Sequence, residues 1–177
     1  MRKALDALYL GGAWLAAFSV FAICVLMLLQ SIGRELGVRT GGTNDVVAWL
    51  CAASAFLAMA HAFKHGDFVR VTLLAEKVSP GVQRALELFA LSVAALAVGY
   101  LTWWATRFTY ESWQFNEISG GMLAMPLWIP QIAFVAGTWI FFIAVMDEGW
   151  IVLRGGRPTY VVAVEERHAK GDFSSDV

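Results

Sequence analysis

ALYLGGAWLAAFSVFAICVLMLLQSIG, residues 7–33, is a run of 27 residues without one Asp, Glu, Lys or Arg. A helix that crosses the hydrocarbon core of a bilayer needs about 20 apolar residues, within a range of roughly 17–25. Arg2 and Lys3 precede the run, as in a secretory signal. It exceeds the ~7–15 residue apolar core of such a signal and has no clean small-x-small site after it, so it reads as a retained anchor. Three further uncharged stretches follow, Val46–Phe63, Leu88–Thr106 and Ile118–Met146, of 18, 19 and 29 residues. Together they raise the apolar share to 59% and lower the charged share to 15%, against about 45–50% and about 25% in soluble domains. The expectation is an all-α integral membrane protein of four transmembrane helices, at about 8–30, 45–64, 80–107 and 126–148. They form one domain over residues 1–153, followed by a polar cytoplasmic tail, 154–177.

Orientation follows from the thirteen Lys and Arg residues. Ten lie at the N-terminus, in the second loop and in the tail; three, Arg34, Arg39 and Arg107, lie in the first and third loops. Excess Lys and Arg mark the cytoplasmic side, so both termini are expected there. The net charge of −1 and the lack of a basic patch interleaved with aromatics give no sign of a nucleic-acid partner.

Within this frame the chain carries packing and anchoring features. Gly12, Ala16 and Ser19 place small residues on one face of the first helix, and Cys51, Ala55, Ala58 and Ala62 do so on the second. Ser92, Ala95 and Gly99 repeat the pattern on the third. Such faces let helix backbones approach closely inside a membrane. Thr43 or Asn44 is expected to cap the second helix, with Asp45 in its first turn. In the second loop Phe68, Val71, Ala75 and Val78 recur at helical period, and Arg70, Lys77 and Arg84 recur every seven residues. That pattern predicts an amphipathic interfacial helix whose basic face meets phospholipid headgroups. Ser79-Pro80 opens the third helix. Its far end bears Tyr100, Trp103, Trp104, Phe108, Tyr110, Trp113 and Phe115, an aromatic belt or a contact surface for a periplasmic partner, with Trp103, Trp104, Tyr110 and Trp113 foremost. Pro126 fits the first turn of the fourth helix, and Pro130 marks a bend.

The sequence contains little reactive chemistry. No charged residue sits in the central part of a span, where proton and ion pathways keep them, and no nucleophile–base pair, metal cluster or phosphate loop is apparent. An enzyme is not expected, nor a cofactor. His61 and His65, four residues apart, share one helix face. A haem-bearing respiratory anchor needs axial ligands on opposite sides of the iron, which that spacing does not supply.

AHAFKHGDFVRVTLL, Ala60–Leu74, resembles the signature at the end of the second helix in the small permease subunits of TRAP (tripartite ATP-independent periplasmic) transporters. Lys64, Gly66, Val69, Arg70 and Val71 match; Phe68 and Thr72 stand where that family usually has His and Asp. Asn44-Asp45 is similar to part of its paired acidic motif. MPLWIP, Met125–Pro130, with Pro126 and Pro130, is similar to its entry into the fourth helix. The resemblance covers about residues 5–153. It implies a small scaffold subunit that supports a large elevator-type membrane permease subunit, in sodium-driven import of an organic acid delivered by a periplasmic substrate-binding protein. The rival readings are the haem-bearing anchor and the small subunit of another tripartite carboxylate transporter.

Overall fold

A computed structural model describes residues 2–38, 41–67 and 80–169. Five helices follow in order: α1 Arg2–Glu35, α2 Thr43–His65, α3 Pro80–Gln114, α4 Trp128–Leu153 and α5 Thr159–Ala169. Four of them are long and apolar enough to cross a membrane, over Leu5–Glu35, Thr43–His65, Gly81–Gln114 and Trp128–Leu153. Among the described residues there is no strand, only an isolated antiparallel bridge between Ile118 and Pro126. The interfacial helix expected over Phe68–Val78, with Arg70 and Lys77, lies outside the described residues.

The spanning helices end alike. A left-handed residue at Gly37, Gly66, Asn116 or Gly155 lets two consecutive N–H groups turn back to the last carbonyls. At α2 these bonds are Gly66 N–H to Phe63 O (3.2 Å) and Asp67 N–H to Ala62 O (3.0 Å), a Schellman motif. Asn116 fills the role at α3 because, after glycine, asparagine tolerates that conformation best.

The start of α3 at Pro80 is as expected, whereas the openings of α2 and α4 differ. Neither Thr43 nor Asn44 caps α2. Gly42 does, at φ 83°, without a side-chain bond. A β-carbon on Gly42 would fall 2.4 Å from Leu123 Cγ, so the contact with the α3–α4 loop selects glycine there. Pro126 is not in α4 but in the bridge with Ile118, and the helix begins at Trp128 with Pro130 in its first turn. The first N–H groups of a helix have no partner within it, so a proline there costs no bond.

In space the spans lie in the order α1–α2–α4–α3, with α1 and α3 flanking a central α2–α4 pair. α1 runs against α2: Asp6 meets Lys64, Gly12 meets Leu57 and Gln30 meets Asn44. α2 and α4 run parallel, Phe56 against Phe134 and Phe63 against Phe141, both pairs edge to face. The crossing point is set by two glycines that meet consecutive peptides at Leu57. A β-carbon on Gly12 of α1 would stand 2.9 Å from Leu57 O, and one on Gly137 of α4 would stand 2.7 Å from the Phe56 carbonyl carbon. Ala16 and Ser19, expected on the small-residue face of α1, are buried.

The main core lies toward the end that bears the termini. Tyr9, Ala60, Phe63, Leu91, Ala144, Val145, Val152 and Tyr160 draw on all five helices. Residues 154–177, read from sequence as a polar tail, thus include a helix that completes this core.

Candidate functional site

The end opposite the termini is tied by polar groups. Gln30 Nε2 donates to Asn44 Oδ1 at 3.2 Å, bringing the expected motif residue Asn44 onto the end of α1. Asp45 Oδ2 accepts the Leu123 N–H at 3.4 Å, and its carboxylate fills the space a side chain on Gly121 would need. The loop after α3 is therefore held against the start of α2. Ser112, fully buried, donates to Glu117 Oε2 at 2.8 Å and accepts from Gln131 Nε2 at 3.3 Å, which joins α3 to α4. Sequence reasoning singled out Asn44 and Asp45 but missed Ser112 and Glu117. Their roles come from the turn that brings Glu117 back to Ser112 and from Gln131 on α4, which sequence spacing does not show.

Next to this network the aromatic residues face outward. Trp103 is 67% exposed, Tyr110 58%, Trp113 56% and Trp104 46%. Arg107 lies over the Trp104 ring, 5.4 Å from its centroid, and donates to Glu111 at 2.9 Å. Thr106, Tyr110, Trp113, Trp128 and Ile132 line a shallow apolar groove of about 390 Å³. α3 has 35 residues, a rise of about 52 Å, more than the ~30 Å hydrocarbon thickness of a bilayer.

Midway, the hydroxyls are spent on backbone. Thr102 Oγ1 donates to Val98 O at 2.8 Å and lies 3.3 Å from Thr138 O. Gly99 meets the Phe142 ring, 3.0 Å from a would-be β-carbon, and Ala95 packs partly buried against the core. Ser92 is exposed and bonds Leu88 O. On α2 the face buried within the chain is Ala53, Leu57, Ala60 and Phe63. Ala58 and Ala62 are half-buried beside it, while Cys51 and Ala55 are exposed.

At the termini end, Lys64 pairs with Asp6 and stands over the Tyr9 ring. Gly66 receives α5, where a β-carbon would meet Val164 and Tyr160 O. Arg167 bonds Asp67 Oδ1 at 2.8 Å and also the His65 carbonyl. Glu148, 2% exposed, accepts the Thr159 N–H at 2.9 Å and caps α5. Arg84 was expected to face headgroups with Arg70 and Lys77. Instead its guanidinium donates to Val152 O and Leu153 O at 3.0 and 3.2 Å, because the open carbonyls at the C-terminal end of α4 attract a cation. The His61 and His65 rings are neighbours, 4.1 Å between centroids, an arrangement that cannot flank one iron.

Sequence reasoning missed Glu148, Tyr160 and Arg167. The signal was present: after Pro158, Tyr160, Val161 and Val164 repeat at helical spacing, the pattern of a short amphipathic helix.

A family model described as "Tripartite ATP-independent periplasmic transporters, DctQ component" matches residues 23–154, from within α1 to the end of α4. No curated protein matches the chain.

Proposed function

Because the chain belongs to the DctQ component family of tripartite ATP-independent periplasmic transporters, and so is a multi-pass small permease subunit, we propose that it acts as a static scaffold for the large permease subunit. In this reading the large subunit moves an organic acid by an elevator-type motion driven by a sodium gradient. A periplasmic binding protein delivers the substrate to the aromatic end of α3. Both termini lie in the cytoplasm, and the membrane is the bacterial inner membrane.

The observation that carries this reading is the contrast between interior and flanks. The spans have no charged residue at mid-depth, and there the hydroxyls of Ser19, Thr102 and Thr138 bond to backbone. Such an interior offers no route for an ion or an acid. The flanking helices meanwhile expose large apolar side chains, Trp14 at 71% and Phe18 at 67% on α1, Phe89 at 69% and Leu96 at 75% on α3. Apolar surface of that kind needs lipid or a second membrane protein against it.

The test is co-expression with the adjacent large subunit, affinity purification in mild detergent, and uptake of labelled substrate by cells. A stable pair, and uptake lost when this chain is deleted, are expected. Failure to co-purify together with unchanged uptake would overturn the scaffold role.

A further inference from the structure

Between α1, α2 and the α4–α5 junction lies a cavity of about 440 Å³ that the scaffold role does not use. Its polar lining comes from Asp6 and Tyr9 of α1, His61, Lys64 and His65 of α2, and Asp147 and Thr159 at the α4–α5 junction. Tyr9 is only 2% exposed, and its hydroxyl has no hydrogen-bond partner among the described residues. A buried hydroxyl left so costs free energy and marks a place for a ligand oxygen. Lys64 gives one donor to Asp6 and has others to spare. Asp147 makes no hydrogen bond or ion pair among the described residues. Two carboxylates face one ammonium here, so a bare anion is repelled, whereas a headgroup that adds an ammonium to its phosphate brings the positive charge that Asp147 lacks and leaves the phosphate to Lys64 and Tyr9.

The cavity also opens onto an apolar track. Leu5 and Leu10 form part of its wall. From half-exposed Leu10, the exposed Trp14 and Phe18 continue along α1 at four-residue steps, one ridge of the helix. A headgroup in the cavity would lay its acyl chains on that ridge.

We propose that this cavity binds a phospholipid whose headgroup bears a primary ammonium: phosphate on Tyr9 Oη and Lys64 Nζ, ammonium on the Asp147 carboxylate. The lining residues all belong to this chain.

The test is native mass spectrometry of the full-length chain, delipidated and then offered phosphatidylethanolamine, phosphatidylcholine or phosphatidylglycerol with identical acyl chains. Phosphatidylethanolamine is expected to be retained preferentially, because a quaternary ammonium has no N–H to donate and a glycerol headgroup has no positive charge. Asp147→Asn should cut that preference over phosphatidylglycerol by about tenfold, the worth of one charge-assisted hydrogen bond. Tyr9→Phe should weaken all three lipids together, since the phosphate is common to them. Equal retention of the three lipids by the native chain, or an unchanged preference in Asp147→Asn, would overturn the proposal. Soluble phosphoethanolamine should not displace the bound lipid; displacement at millimolar concentration would overturn the membrane as the source.

Discussion

At the scale of the residue, the bundle depends on places where a methyl group does not fit. Gly137 brings α4 against the Phe56–Leu57 peptide of α2, and Gly12 brings α1 against the Leu57 carbonyl of the next peptide. The obstructing atoms are backbone, which cannot rotate away as a side-chain tip can. Gly137→Ala should therefore destabilise the chain by about 1–3 kcal/mol, the usual cost of overpacking. Gly149 lies on the same helix with nothing within 4 Å of its would-be β-carbon. There alanine should be neutral or stabilise by up to about 1 kcal/mol through helix propensity. Thermal midpoints of the two variants in one detergent check both. The small-residue face of α1 could be read from Gly12, Ala16 and Ser19 because composition at helical spacing is a local property. Gly137 could not, since its role comes from a residue pair about eighty positions away in sequence. The same limit applies to Arg84. Its seven-residue register with Arg70 and Lys77 is real, but the carbonyls that hold it belong to α4.

At the scale of the element, the hydropathy of four spans is strong enough to be read without tertiary information, and their existence was read correctly. The start of α3 at Pro80 was read too. The openings of α2 and α4 were not: Gly42, pressed by Leu123, caps α2 in place of Thr43 or Asn44, and α4 begins after Pro126, at Trp128. α5 was hidden for another reason: its polar average conceals the face formed by Tyr160, Val161 and Val164. It is held by the Glu148 cap, the Arg167–Asp67 pair and Tyr160 in the core. Glu148→Ala leaves the Thr159 N–H, half-buried at the bundle surface, without its acceptor, a loss of about 1–3 kcal/mol. Amide hydrogen exchange should then speed up across Thr159–Ala169 while α4 stays protected. The exposed stripe of α2 behaves differently. Ala55 is exposed among the described residues, so Ala55→Leu should change stability by less than about 0.5 kcal/mol. If the stripe meets the large subunit, as its small residues suit it to do, the same variant lowers the yield of co-purified complex.

At the scale of the whole molecule, charge and shape point to one orientation. The end with the termini holds Lys64, Arg84, Arg154, Arg157 and Arg167 among its described residues, and the opposite end holds Arg34 and Arg107. Some of these charges do structural work, as Arg84 and Arg167 do. That does not weaken the orientation argument, because insertion reads the nascent loops before the bundle packs and responds to Lys and Arg near the span ends. In the proposed orientation the aromatic end of α3, a helix longer than the bilayer is thick, lies on the outer side. Fluorescent-protein and alkaline-phosphatase fusions check the arrangement directly. A fluorescent protein after Val177 should fluoresce, as it does when it folds in the cytoplasm. Alkaline phosphatase inserted at Gly120, an open position between α3 and α4, should be active, as it is only in the periplasm. The reverse result at both sites would invert the protein in the membrane. It would place the cavity around Tyr9 in the outer leaflet and remove the aromatic surface from any periplasmic partner.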